Sequence, residues 1–531
     1  MAASGRGGAR VRRAGGGPPD ARDRRAHCFP GRPGSPRVAG EPPVAAVVGG
    51  GIAGIAAATA LAERGVRVTL FERDQVLGGR LAGWSTTLED GSTVTMSRGF
   101  HAFFRQYYNL RALLRRTDPH QTRMTRLPDY PLWHADGLKD SFRHVPRTPP
   151  WSALGFAVAS PTFRLRDLPR MNAAGALPLM DVRVPDVYDR LDATSAHDFL
   201  ASIRFPEAAH HLAFEVFSRS FFADPRRLSA AEMVLMFHIY FLGSAEGLLF
   251  DVPNEPFPTA LWNPLGAYLE RLGVDVRCST PVEHIAPHGD GFRVTAPGLD
   301  RRVDACVLAL DTGGLQSLAT NSPAIADASW HQRVARLRTA PPFLVSRLWL
   351  DRPVRSDRPG FLGTSGFGSL DNVSVLERWE REALRWSRRA GGSVIELHAY
   401  AVDENADRAA VQEHLVQQLH AVYPETRGAR IIDARHEWRA DCPLFPVGGY
   451  ADRPAVRTSH PHLMVAGDLV RTGLPVALME RAATSGMLAA NALLERWRVL
   501  GHTLWTVPVR GRNRLLRQFA ERHRRHTDSG R

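Results

Sequence analysis

A chain of 531 residues, 44% of them apolar, can bury a large core and hold roughly two to four domains. Its net charge of +14 sits almost wholly in the ends: residues 1–43 carry nine arginines against Asp20, Asp23 and Glu41, and residues 498–531 carry nine against Glu521 and Asp528. The near-neutral body between them excludes a nucleic-acid-binding core. The four cysteines show no C-x-x-C spacing and the histidines no H-E-x-x-H spacing, so no metal centre is expected and the thiols read as reduced in a cytosolic setting.

Residues 1–43 are rich in glycine, proline and arginine, which predicts a disordered basic arm; they lack the apolar run of a signal peptide. The chain changes character at Val44, where it reads VAAVVGGGIAGIAAATALAERGVRVTLFERDQVLGGR. The five apolar residues Val44–Val48 predict a buried strand. Gly49, Gly51 and Gly54 then form G-x-G-x-x-G at a strand-to-helix corner, the pattern that lets a backbone approach a pyrophosphate. An alanine-rich helix is predicted over 55–64, with its N–H groups and dipole toward the phosphates, and a second strand over 66–71. Glu72 closes that strand, where a carboxylate can accept from a ribose diol. Dinucleotide contacts are therefore expected from Gly49, Gly51, Ile52, Ala53, Gly54, Glu72 and Arg73.

Six residues after Glu72 stands Gly78-Gly79-Arg80, which resembles the GG-R signature of the FAD-binding amine oxidase and phytoene desaturase superfamily. The resemblance implies FAD as cofactor, with Gly78 and Gly79 approached closely and Arg80 neutralising pyrophosphate charge. After a turn at Asp90-Gly91 comes SRGFHAFFRQYYNL, residues 97–110. It resembles the G-L-H-x-F-F-G-x-Y-x-N-L motif of plant and cyanobacterial phytoene and ζ-carotene desaturases, with Phe100 in place of leucine and Arg105 in place of glycine. The longer string RGFHAFFRQYYNLR is similar to the actinobacterial isorenieratene synthases, β-carotene desaturase/methyltransferases of the same superfamily. In that light His101 is the candidate to take a proton or steer a cation, or else a satisfied core histidine. Arg98 would lie near the flavin and favour its reduced anion, and Phe100, Phe103, Phe104 and Tyr107 would form aromatic walls.

Residues 127–261 read as a largely helical insertion, with Thr194 or Ser195 capping a helix over 191–203. The apolar runs 214–222 and 230–242 suit a dry tunnel, and FSRSFFADPRRLSA is similar to the plant-type desaturases at the same place. A helix over 263–272 and strands at 274–278, 282–285, 292–294 and 304–310 follow; the resemblance implies that Val282 contacts the adenine. Residues 315–400 read as a second pass through the substrate region, with a helix over 404–422 and a strand over 431–438 after it. Residues 463–491 resemble the second FAD motif of the superfamily, which implies roles for Gly467, Asp468, Pro475 and the backbone of Met479. Near the end, RNRLLRQFAERHRR places Leu515, Leu516 and Phe519 on one helical face among arginines, a membrane-surface element or a solvated tail. No stretch reaches the roughly 20 apolar residues of a membrane span.

The expected fold is α/β: a discontinuous Rossmann-like FAD-binding domain (44–126, 262–314 and 440–497) with an inserted α+β substrate domain (127–261 and 315–439), between the basic arm and a basic tail at 498–531. The resemblance implies an FAD-dependent oxidoreductase that dehydrogenates the β-ionone rings of β-carotene with methyl migration, peripheral to the inner face of the cell membrane. A linear carotene desaturase or isomerase shares every motif. An amine oxidase is weaker, since a lysine usually placed near the flavin has only Lys139 to supply it. A flavin-binding carotenoid scaffold without turnover also stands. The electron acceptor is left open.

Overall fold

The computed structural model describes residues 21–528 other than 22, 144, 150, 153–154, 156–159, 161–171 and 207–221. Five strands form a parallel sheet in the order Asp275–Arg277, Arg67–Phe71, Val44–Val48, Ala305–Leu308, Leu463–Val465. Val44–Val48 lies at the centre, which is why it carries no polar face. The helix after it spans Ile52–Ala62, starting three residues earlier than predicted because Gly51 already serves as the N-cap. Gly54 thus lies in the first helical turn, where a Cβ would stand 1.8 Å from the Gly49 carbonyl oxygen. Only glycine closes that corner. The wholly buried helix packs against the helix Leu478–Arg496 from the far end of the chain.

A second, seven-stranded sheet is built from Ile431–Arg439, Phe343–Leu350, Ser393–Ala399, Asn372–Val375, Phe361–Ser365, Leu132–His134 and Lys139–Asp140, in that order. Its strands are antiparallel except where Phe361–Ser365 runs parallel to Leu132–His134. Helix Ala230–Phe237 continues into one π-helical turn, His238–Leu242, and His238 is buried with Nε2 donating to the Pro508 carbonyl at 2.7 Å. The helix Ala196–Ser202 is capped by Ser195, one of the two expected caps. The predicted helix over 214–222 lies outside the described residues except for Phe222.

Two expectations change. The boundary expected at residue 314 falls inside the helix Thr312–Asn321, whose Leu315 and Leu318 pack in the same core as the parallel sheet, as do Trp330 and Val334 of the following helix Ala328–Arg336. Residues 23–43, read from composition as unfolded, are instead held to the body. His27–Phe29 pairs antiparallel with Leu504–Thr506, and Asp23 is buried against Arg512 at 2.8 Å. The arm borrows its partners from across the chain, which composition cannot register.

Removing that carboxylate leaves a guanidinium buried without its partner, so Asp23→Ala is expected to cost about 3 kcal/mol. Calorimetry of the variant beside the parent would show this as a lowered Tm with an unchanged far-UV spectrum.

Candidate flavin and substrate site

A cavity of about 570 Å3 lies between the two sheets, lined at one end by the glycine corner and at the other by aromatic rings. Of the cofactor residues expected from sequence, it is lined by Gly49, Gly51, Ile52, Ala53, Glu72, Arg73, Gly78, Gly79, Arg80, Val282, Gly467, Asp468 and Met479. His101 and Arg98 line it too. Gly54 and Pro475 do not: the first closes the helix–strand corner, and the buried Pro475 sits three residues before the helix Leu478–Arg496.

The nucleotide end is rigidly built. Glu72 accepts from the backbone N–H of Gly50 at 2.7 Å and of Asp74 at 2.8 Å, one on each carboxylate oxygen. Each oxygen keeps a second lone pair for a ribose hydroxyl. Burial pushes this carboxyl up, and those two N–H donors oppose it. Arg73 pairs with Asp311 at 3.2 Å, and Asp311 caps the helix Thr312–Asn321, whose first turn also lines the cavity. Arg80 and Asp468, 388 positions apart in sequence numbering, meet in an ion pair of 2.6 Å. The helix beginning at Leu478 is anchored by Arg481, whose Nε donates to the Val476 carbonyl at 2.9 Å and whose Nη2 pairs with the buried Glu232 at 2.8 Å.

These residues fit a dinucleotide. A Cβ on Gly51 would meet no protein atom nearer than Gly79 Cα at 3.9 Å, so the missing side chain leaves room in the cavity. Asp441 Oδ1 is buried at the cavity with no hydrogen-bond donor from the described protein, an acceptor suited to a ligand hydroxyl.

Beyond Arg80 the lining becomes aromatic. Phe100 stacks on Phe361 at 4.2 Å, and Phe104 lies 4.6 Å from Tyr240 and 5.4 Å from Phe250, centroid to centroid. Tyr107 also faces the cavity, with its hydroxyl 3.4 Å from that of Tyr240. Phe103, expected among the walls, is instead fully buried in the core, because it alternates with Phe104 along a short strand. His101 donates from Nδ1 to the Gly99 carbonyl at 2.9 Å, which leaves Nε2 as a lone-pair acceptor. Burial pulls this imidazole down to about 4, and His398 and Arg80 act in the same direction against the Gly99 carbonyl. His101 is therefore a neutral base at ordinary pH. Arg98 is paired with Asp441, so its charge is already compensated. Lys139 stacks over Trp133 at 4.4 Å and does not line the cavity.

Several lining residues escaped sequence reasoning: Asp371, Asn372, His398, Tyr400, Asp441 and Cys442. A signal for some of them was present in SVIELHAY. Glu396 and His398, two apart on one face of an apolar strand, mark polar groups buried for a reason.

Gly51→Ala puts a methyl group into that room without a clash in the protein. The variant is expected to fold like the parent but to purify with flavin reduced by about tenfold or more, as about 1.4 kcal/mol of lost binding already gives that factor. Flavin absorbance against protein, with circular dichroism as the fold control, measures it.

Residues 52–494 match the model of the family described as flavin containing amine oxidoreductase. The chain is 70% identical over 500 residues to a carotenoid phi-ring synthase of Streptomyces griseus, covering 94% of this chain and 97% of the relative. A carotenoid phi-ring synthase of Chlorobaculum tepidum is 28% identical, covering 88% and 91%. A probable zeta-carotene desaturase of Synechococcus elongatus is 22% identical, covering 85% and 98%. Among solved structures, wild-type putrescine oxidase bound to putrescine superposes with a TM-score of 0.63 at 18% identity, covering 86% of this chain and 100% of that one, a likeness of fold. With its glycine corner, Arg80–Asp468 pair and family match over most of its length, the chain belongs to the flavin containing amine oxidoreductase family and is an FAD-dependent oxidoreductase.

Proposed function

We propose that the protein dehydrogenates the β-ionone rings of a carotenoid, with methyl migration, to give aromatic rings. The observation that carries this reading is the far end of the cavity, which the rings of Phe100, Phe104 and Tyr240 line together with a neutral His101. Hydride acceptance is the chemistry that FAD supplies when bound. The chain's own residues must then manage the allylic cation that hydride loss leaves on the ring. The rings of Phe100, Phe104 and Tyr240 offer π density to such a cation. His101 Nε2 is poised to take a proton after a 1,2-methyl shift, held in the right tautomer by the Gly99 carbonyl. Relatives named as carotenoid phi-ring synthases, one at 70% identity, support a carotenoid ring as substrate.

The acyclic-carotene reading is supported by more distant relatives named as a probable zeta-carotene desaturase and a 15-cis-phytoene desaturase. Expression in cells that accumulate β-carotene separates the two: loss of eight hydrogens with no loss of carbon, read by mass and absorption spectrum, is the expected result. Unchanged β-carotene beside altered desaturation in a strain that accumulates lycopene precursors would overturn the ring reading. Because His101 titrates near 4, turnover should be flat from pH 7 to pH 5 and fall as the pH drops through about 4. His101→Gln should lose about 100-fold in product formation.

We also propose that helix Arg514–Asp528 rests on an anionic membrane surface, from which an apolar substrate is drawn. Leu515 and Phe519 are 65% and 60% exposed one turn apart, flanked by Arg514, Arg517 and Arg522. No helix among the described residues is long and apolar enough to cross a membrane. The double substitution Leu515→Gln and Phe519→Gln should abolish co-sedimentation with anionic liposomes; unchanged sedimentation would remove the membrane role from this helix.

A further inference from the structure

A buried polar chain runs beside the turn that carries His101. Glu396 is fully buried, and its carboxylate accepts from Arg347 twice, at 2.7 and 3.0 Å, and from the Phe100 N–H at 2.7 Å. Burial pushes this carboxyl up, and Arg347 and His398 pull it down to about 2, so it is ionised and can only accept. His398 therefore donates from Nε2 to Glu396 at 2.9 Å, and the neutral ring protonated there presents a lone pair at Nδ1. The Tyr400 hydroxyl lies 2.7 Å from that Nδ1 and donates to it, while Asn372 Nδ2 donates to the Tyr400 oxygen at 2.9 Å. Asn372, His398 and Tyr400 all line the cavity, and Tyr400 packs edge-on against Phe222 at 4.8 Å.

The order phenol, imidazole, carboxylate, guanidinium is that of a proton acceptor backed by a fixed negative charge. We propose that Tyr400 is a catalytic residue that accepts a substrate proton and passes its own to His398, with Glu396 and Arg347 as positioning residues. This rests on the carotenoid reading above and deepens it. Aromatising one ring with methyl migration removes four hydrogens as two hydrides and two protons, so one neutral histidine leaves a second proton to be taken. In the step, a C–H bond beside the cation breaks and its electron pair becomes the new C=C bond. The proton goes to the Tyr400 oxygen as the hydroxyl proton moves to His398 Nδ1, giving an imidazolium whose Nε2–H faces the Glu396 carboxylate. The excess proton leaves by the same route to water once product has gone.

Tyr400→Phe keeps the ring against Phe222 and removes only the hydroxyl. In anaerobic mixing of the FAD-bound protein with β-carotene, flavin bleaching by the first hydride should stay within about threefold of the parent, and when an added quinone reoxidises the flavin so that the second hydride can be taken, aromatic product should fall about 100-fold. A ring that has lost only two hydrogens should accumulate. A tyrosine that merely packs would leave the ratio of product to bleaching unchanged, and that result overturns the proposal. An independent readout is the 15N spectrum of the histidines in the substrate-free FAD-bound parent. The ring whose Nδ1 resonance moves in Tyr400→Phe should be protonated at Nε2; protonation at Nδ1 would overturn the relay whatever the kinetics. A parent that bleaches with an acyclic carotene but not with β-carotene overturns the ring reading alone. Tyr400→Phe is then compared with the parent on that carotene, where the same drop in product is expected. A parent whose flavin no carotene bleaches overturns both.

Discussion

The ionised carboxylate of Glu396 ties the turn that carries His101 to the seven-stranded sheet. A charge buried to that degree is tolerated only if donors meet it from several sides, and here they arrive from three segments: Arg347, His398 and the backbone N–H of Phe100. Arg347 extends the tie, reaching the Thr95 carbonyl at 2.7 Å and Ser97 Oγ at 3.0 Å. The turn that carries Arg98, Gly99 and His101 is thereby bolted to the seven-stranded sheet. Gly99 sits where a Cβ would come within 2.5 Å of the His398 ring, so the turn and the sheet close on each other without room for a side chain. The orientation of His101, through the Gly99 carbonyl, follows from this closure.

How much of this could be read from sequence depends on how local the cause was. The strand Val44–Val48, the glycine corner, the second strand and Glu72 are fixed by short-range pattern, and they stand where the pattern put them; the helix between is displaced by three residues because glycine can be an N-cap. The second motif around Gly467 and Asp468 was legible from its resemblance, and its meeting with Arg80 explains why the two strings belong together. What was missed is long-range. Asn372, Tyr400 and Asp441 sit in stretches with no motif, and only sheet register brings them to the cavity. The expected aromatic wall at Phe103 failed for a simpler reason, since adjacent residues in a strand face opposite ways.

Chains of this fold include putrescine oxidase, so architecture alone does not choose the chemistry. The choice lies in what lines the far end of the cavity. A cation on a small amine and a cation on an apolar ring ask for different surroundings, and here the lining combines aromatic rings with a neutral imidazole, with Lys139 held on Trp133 away from it. Where an aromatic wall carries both the packing and the reactive environment, a substitution in it changes stability and selectivity together.

The parallel sheet takes its strands from residues near 45, 70, 275, 305 and 465, and the helix that packs on Ile52–Ala62 comes still later, at Leu478–Arg496. During synthesis, therefore, the N-terminal glycine corner emerges long before Asp468 and Arg481 exist to complete it. The nascent chain holds half a nucleotide site with no strand for one side of Ala305–Leu308, and such contacts of high sequence separation fold slowly. The two halves of the flavin site therefore meet only once the chain through Arg481 has emerged, and FAD cannot be held by both before then.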